Sequence, residues 1–201
     1  MKIDLKETIH LLASLVVLTV AFAYPSTEPT MLAVIALSVG SGFIFHELGH
    51  KFTAQRFGYT AVYEASPMGL LLAIFLKIIT GVVFAAPGAV MIRKRQSYYS
   101  NDDRYYDMLT QSRETWKIAL AGPLINVALA VVFMGIMFLS DSALMQTMGL
   151  YGAYVNVFLA GFNMIPFGPL DGAKVFKHNP AMWGFVGLPL VLMFLIISGI
   201  L

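Results

Sequence analysis

Between Ser142 and Leu170 the chain runs for 29 residues without a charged side chain, and it does much the same over residues 8–27, 29–45, 118–140 and 179–201. A bilayer core takes about 18–20 apolar residues as a helix, so each stretch is long enough, or nearly so, to cross it. In lipid every backbone amide must be satisfied within the segment, which leaves helices or a closed barrel, and runs of this length select helices. Hydrophobic residues make up 58% of the 201 residues and charged residues 12%, with a mean hydropathy of +0.76, outside the balance of a water-soluble domain. The expectation is an all-α polytopic membrane protein with five or six transmembrane helices and one re-entrant or β-hairpin segment around residues 67–92. The bilayer is its first partner.

The remaining bulk numbers exclude more than they suggest. A net charge of +2, with basic and acidic residues interspersed, gives no surface for nucleic acid. With no cysteine, any metal must be held by imidazole and carboxylate. Ala21-Phe22-Ala23 ends the first stretch in small residues behind Lys2 and Lys6, the outline of a signal peptide as well as of a first span.

Residues 67–92 are apolar but interrupted by Lys77, Thr80-Gly81 and Pro87-Gly88. If this segment crossed the bilayer once, Arg93, Lys94, Arg95, Arg104, Arg113 and Lys117 would lie outside the cell. If it enters and leaves by one face, they stay with Lys51 and Arg56 on the cytoplasmic side, as the distribution of basic residues in membrane proteins requires. The hairpin is therefore expected. Its second half, Val82-Val83-Phe84-Ala85-Ala86 and then Ala89-Val90-Met91-Ile92, is β-branched and aromatic enough to predict strand. Residues 93–116, with Tyr98, Tyr99, Tyr105 and Tyr106 among the charges, predict a polar, partly disordered cytoplasmic loop.

The chemistry concentrates in Phe45-His46-Glu47-Leu48-Gly49-His50, at the end of the second span. Positions i and i+4 put both imidazoles on one helix face, able to share a zinc ion. Glu47 lies beside that face, where a carboxylate can take a proton from water. Three ionisable groups within five residues at membrane depth cost too much to be ornamental. A catalytic zinc site needs a third protein ligand. The other carboxylates lie in polar segments or, for Glu28 and Asp141, on the far face, leaving Glu64 and Asp171. Asp171 is better placed, in Asn163-Met164-Ile165-Pro166-Phe167-Gly168-Pro169-Leu170-Asp171-Gly172, where two prolines and two glycines unwind the helix at the same depth. Glu64 stays the alternative. His10 and His178 sit near span ends and are expected to be interface residues, and Asn163 a cap for the unwound segment.

Three motifs in order, HELGH at 46–50, AGPLIN at 121–126 and NMIPFGPLDG at 163–172, resemble the core helices of the site-2 protease family, across roughly residues 31–172. The resemblance implies a single transmembrane protease domain over residues 1–201, with core helices at 31–56, 117–140 and 142–172 and peripheral helices at 8–25 and 180–200. It implies His46, His50 and Asp171 as ligands of one Zn2+ per chain, Glu47 as general base and Asn126 as a polar group beside the reacting carbonyl. It places the family's membrane-embedded β segment in residues 82–92, with Val83, Phe84, Ala85 and Ala86 against the substrate, which would add there as a further strand. The implied activity is hydrolysis of transmembrane protein substrates, regulated intramembrane proteolysis, by a multi-pass cell-membrane enzyme whose site faces the cytoplasm. No appended regulatory domain is expected within these residues. Two other classes compete: a zinc-binding membrane scaffold that hydrolyses nothing, and a metal transporter using the same ligands. Glu47 argues against both, since neither needs a base beside the metal.

Overall fold

The computed structural model describes residues 3–94 and 103–200. In chain order it comprises α1 (Leu5–Ala23), α2 (Pro29–Arg56), β1 (Tyr59–Ala65), α3 (Pro67–Thr80), β2 (Gly88–Lys94), α4 (Asp103–Leu139), α5 (Ala143–Asn163), α6 (Asp171–His178) and α7 (Pro180–Ile197), the last with a π-turn at Trp183–Gly187. The chain is mostly helical. Among the described residues four helices are long and apolar enough to cross a membrane: α1, α2, the Arg113–Leu139 part of α4, and α7. The α5 helix is uncharged and 21 residues long, but Gln146, Thr147, Asn156 and three glycines dilute its hydropathy.

Local signals explain where these helices begin and end. Asp4 caps α1 by accepting from the Glu7 amide at 2.7 Å. Glu28 caps α2 through the amides of Thr30 and Met31, which hold its carboxyl below the usual range, and Pro29 opens that helix where its missing N–H costs nothing. Gly58, at φ +81°, turns the chain out of α2 into β1.

Helix α2 lies at the centre, packed against α1, α4 and α5. Of its apolar window 44% is buried, against 17% for α7, most of whose side chains face outward. Gly42 of α2 meets Leu159 and Asn156 of α5, and Gly149 and Gly152 of α5 receive the α4 backbone and Phe133, the close approach that drives helix association in lipid. An aromatic group, Phe158, Phe162 and Phe194 with Phe22 and Phe84 at its margin, joins α5, α7, α1 and the segment after α3. Ala21 and Ala23, the small residues of the signal-peptide outline, are buried in this core.

The interrupted segment doubles back on itself. At about 1.5 Å per residue, the 14 residues of α3 reach only about two-thirds of the bilayer core. The chain then returns in extended form to β2. Two sequence expectations need correcting. The strand is Gly88–Lys94, paired antiparallel with β1, and not Val83–Ala86: Val83 and Ala85 are buried in the core and Phe84 stacks edge-on against Phe162, so apolar content that predicted a strand goes into packing. Residues 103–116, expected as loop, belong to α4, whose polar first turns run straight into its apolar part. Tyr98 and Tyr99 fall outside the described residues.

A buried ion pair ties these parts together. Glu7 is 2% exposed and Lys51 1%. Lys51 Nζ donates to both carboxylate oxygens of Glu7, at 2.7 Å to Oε1, and Oε1 also accepts from the Tyr63 amide at 3.0 Å. Breaking such a pair from one side costs about 3–5 kcal/mol, whereas replacing both ends by apolar groups is often neutral. Glu7→Gln is therefore expected to lower the melting temperature in detergent clearly, and Glu7→Gln with Lys51→Met to recover most of it. Equal losses in both would contradict this account.

Candidate metal centre and its cavity

Three side chains from α2 and α6 converge where α2 leaves the apolar region. His46 and His50, one turn apart, present their Nε2 atoms 3.0 Å from each other. Asp171, the first residue of α6, brings Oδ2 to 2.9 Å from His50 Nε2 and 3.3 Å from His46 Nε2. All three side chains are buried, and their ligand atoms lie within 4.8 Å of one another. Asp171 reaches this point because the chain is non-helical over residues 164–170 and begins a new helix at 171. The Trp183 indole donates to the Met164 carbonyl at 2.8 Å, satisfying one group that the broken helix frees. Asn163 bonds back to the Leu159 carbonyl at 3.0 Å, within its own helix.

The other ring nitrogens decide what these three groups can hold. His50 Nδ1 faces the Ile118 carbonyl at 2.7 Å, an acceptor, so it carries the proton. His46 Nδ1 lies 2.6 Å from Asn126 Oδ1. Asn126 is oriented by its amide nitrogen, which donates to the Gly42 carbonyl at 3.0 Å and to Asn156 Oδ1 at 2.9 Å, so its oxygen must face His46, whose Nδ1 is also the donor. With both Nδ1 atoms protonated, two neutral Nε2 lone pairs and a carboxylate oxygen point at one place. That arrangement repels itself until a cation sits among them, and the donor set of two imidazoles and a carboxylate fits zinc. Gly122 makes room, since a Cβ there would come within 2.7 Å of His46 Nε2.

Glu47 lies beside the trio, 7% exposed, and its Oε2 has no hydrogen-bond partner among the described residues. Lys174, one turn along α6, holds Asp171 Oδ1 at 3.1 Å and leaves Oδ2 for the histidines. His46, Glu47, His50, Asp171 and Lys174 border a cavity of about 800 Å³, whose walls include Met68, Leu72, Phe84 to Ile92 and Glu64.

The sequence expectations can now be placed. His46, His50, Glu47 and Asp171 come together; Glu64 lines the cavity but stays outside the ligand group. Phe84, Ala85 and Ala86 border the cavity, Ala85 with only 3% exposure, while Val83, also 3% exposed, does not. Asn126 does not border it: its amide hydrogens and oxygen are all engaged in the interior, so it has no donor to offer a reacting carbonyl. Lys174, Asn156 and Trp183 were missed. The three-residue step from Asp171 to Lys174 on a helix was a legible cue for the first.

Comparison with known proteins agrees with this geometry. The profile described as Peptidase family M50 matches residues 34–150, more than half of the chain, including HELGH and Asn126. A curated protein of Methanocaldococcus jannaschii named "Putative zinc metalloprotease" is 43% identical over 187 residues, covering 92% of this chain and 91% of that protein. The chain belongs to peptidase family M50, the site-2 protease family. No solved structure matches it.

Proposed function

We propose that the chain is an intramembrane zinc metalloprotease that hydrolyses peptide bonds of transmembrane proteins at the cavity beside His46, His50 and Asp171. The observation that carries this is the buried convergence of two oriented imidazoles and a carboxylate, with an unpartnered Glu47 oxygen next to them. The chemistry zinc supplies when bound is Lewis acidity, which makes water acidic enough to attack a carbonyl near neutral pH. His46, His50 and Asp171 hold the ion, one per chain. Glu47 takes the proton of the attacking water, whose hydroxyl adds to the peptide carbonyl, and returns that proton to the leaving nitrogen as the C–N bond breaks. Asn126 acts as a positioning residue: it keeps His46 in the tautomer that presents Nε2, and Asn156 and Gly42 hold Asn126 in turn. Ile118 does the same for His50.

Substrate reaches this site in extended form. A helical carbonyl is already hydrogen-bonded, so a span must unwind before it is cut, and the outer edge of β2 offers a template for it. In this reading α5 is a fifth span, the enzyme is a multi-pass protein of the cell membrane, and the site opens toward the cytoplasm, where the basic residues after β2 belong. A transport role finds less support: residues 29–45, the half of α2 before the metal ligands, contain no ionisable group to continue a path.

The test uses the full chain in detergent. One zinc per chain is expected, together with cleavage of an unfolded or transmembrane substrate that a chelator stops and added zinc restores. Zinc at that stoichiometry with no cleavage would favour the scaffold.

A further inference from the structure

Glu64 is not used by the mechanism above, yet it borders the same cavity. Its side chain is half-buried and has no hydrogen-bond or ion-pair partner among the described residues. Lys174, which also borders the cavity, is engaged by Asp171. Directly across the ladder from Glu64 stands Ala89, whose methyl can neither cover a carboxylate nor bond to it. Arg93 lies on the same face, but it pairs with Thr60, four residues along, about 13 Å away. A carboxylate held against an apolar wall with no partner is costly, and a cation arriving with a ligand would relieve that cost.

The sheet says where such a cation would come from. The Tyr63 amide is taken by Glu7 Oε1 at 3.0 Å and the Ala65 amide by His10 Nδ1 at 3.3 Å, so α1 closes the outer edge of β1. Those two amides point away from β2. By the alternation of an antiparallel ladder, their partners Val90 and Gly88 point their backbone groups away from β1, toward the open edge. A chain that adds to the sheet therefore adds to β2. Its residue opposite Ala89 falls on the face that carries Glu64, about 10 Å from it, two strand spacings with only a methyl group between. Lysine and arginine have the reach to cross that gap. Membrane spans carry these residues at their cytoplasmic ends.

We propose that Glu64 is a cation-accepting subsite, which selects substrates bearing Lys or Arg at the position opposite Ala89 and so fixes the register in which they lie on β2. The proposal rests on the peptidase reading for the identity of the ligand, but binding alone can test it. Extended peptides from a model span, identical except for Lys, Gln or Glu at each of four successive positions, are titrated against the zinc-loaded full chain carrying Glu47→Gln. At one position the Lys peptide is expected to bind at least about tenfold more tightly than the Glu peptide. Adding Glu64→Gln should remove that preference with zinc content unchanged, and Glu64→Lys should reverse it, a result that misfolding cannot produce. A preference absent from the parent, or undiminished by Glu64→Gln, overturns the proposal, as does loss of zinc in that variant. Preference without hydrolysis in the wild-type chain would sink the peptidase reading and leave the subsite standing.

Discussion

Replacing Glu47 with Gln is expected to lower peptide hydrolysis by about 10²–10⁴-fold, the range attributable to one general base, while zinc content and melting temperature stay close to wild type. Gln has the same shape, so the packing of this 7%-exposed side chain is kept. What is lost is the ability to accept a proton. Glu47 is not one of the three converging ligands, so the ion should remain. Metal analysis and cleavage measured on one preparation check this. Loss of zinc would make Glu47 a ligand, and retained hydrolysis would falsify its assignment as base. Because neither a scaffold nor a transporter needs this carboxylate, the variant also separates the three classes.

How much of this was legible in the sequence depended on whether the signal was local. The i, i+4 histidines needed no tertiary information, because helix geometry alone puts them on one face. Asp171 was legible through its surroundings: Pro166, Gly168 and Pro169 cannot sustain a helix, and the structure is non-helical over residues 164–170. The strand was half legible. Ala89-Val90-Met91-Ile92 does lie in β2, but the apolar run before Pro87 has the same composition and spends it on packing, a distinction that composition does not carry. The β1 strand went unread although Tyr59, Ala61 and Tyr63 alternate with Thr60, Val62 and Glu64 immediately after a glycine, which is the period-two pattern of a half-buried strand.

Asn126 marks the harder limit. The resemblance implied a polar group beside the reacting carbonyl, and only its partners show where its amide is engaged. The deciding partner, Gly42, is 84 residues away in sequence. The same holds for Glu7, which a sequence reading leaves in a polar leader before the first span. In the fold it is 2% exposed, linking α1 to the lysine that follows His50 and to the amide of Tyr63. Long-range polar contacts of this kind fix the helix carrying His46 and His50 and the sheet relative to each other, and nothing periodic in the sequence announces them.

Asp171→Ala is expected to abolish both zinc binding and hydrolysis. Losing a residue that merely orients a ligand weakens metal affinity about 10–100-fold, and removal of one of three ligands should exceed that, leaving two neutral imidazoles on α2. Asp171→Asn refines the test: it keeps the size of a side chain only 6% exposed but removes its charge. It also removes the carboxylate that Lys174 engages, placing a cation beside the site without its counter-charge. Zinc loss in both variants, with the folded state retained in Asp171→Asn, would establish that the charge is what the ion requires. Zinc retained with full activity in both would move the third ligand elsewhere. Glu64, the other carboxylate bordering the cavity outside HELGH, would then be the first candidate, and its role as a substrate-reading subsite would fall with the same result.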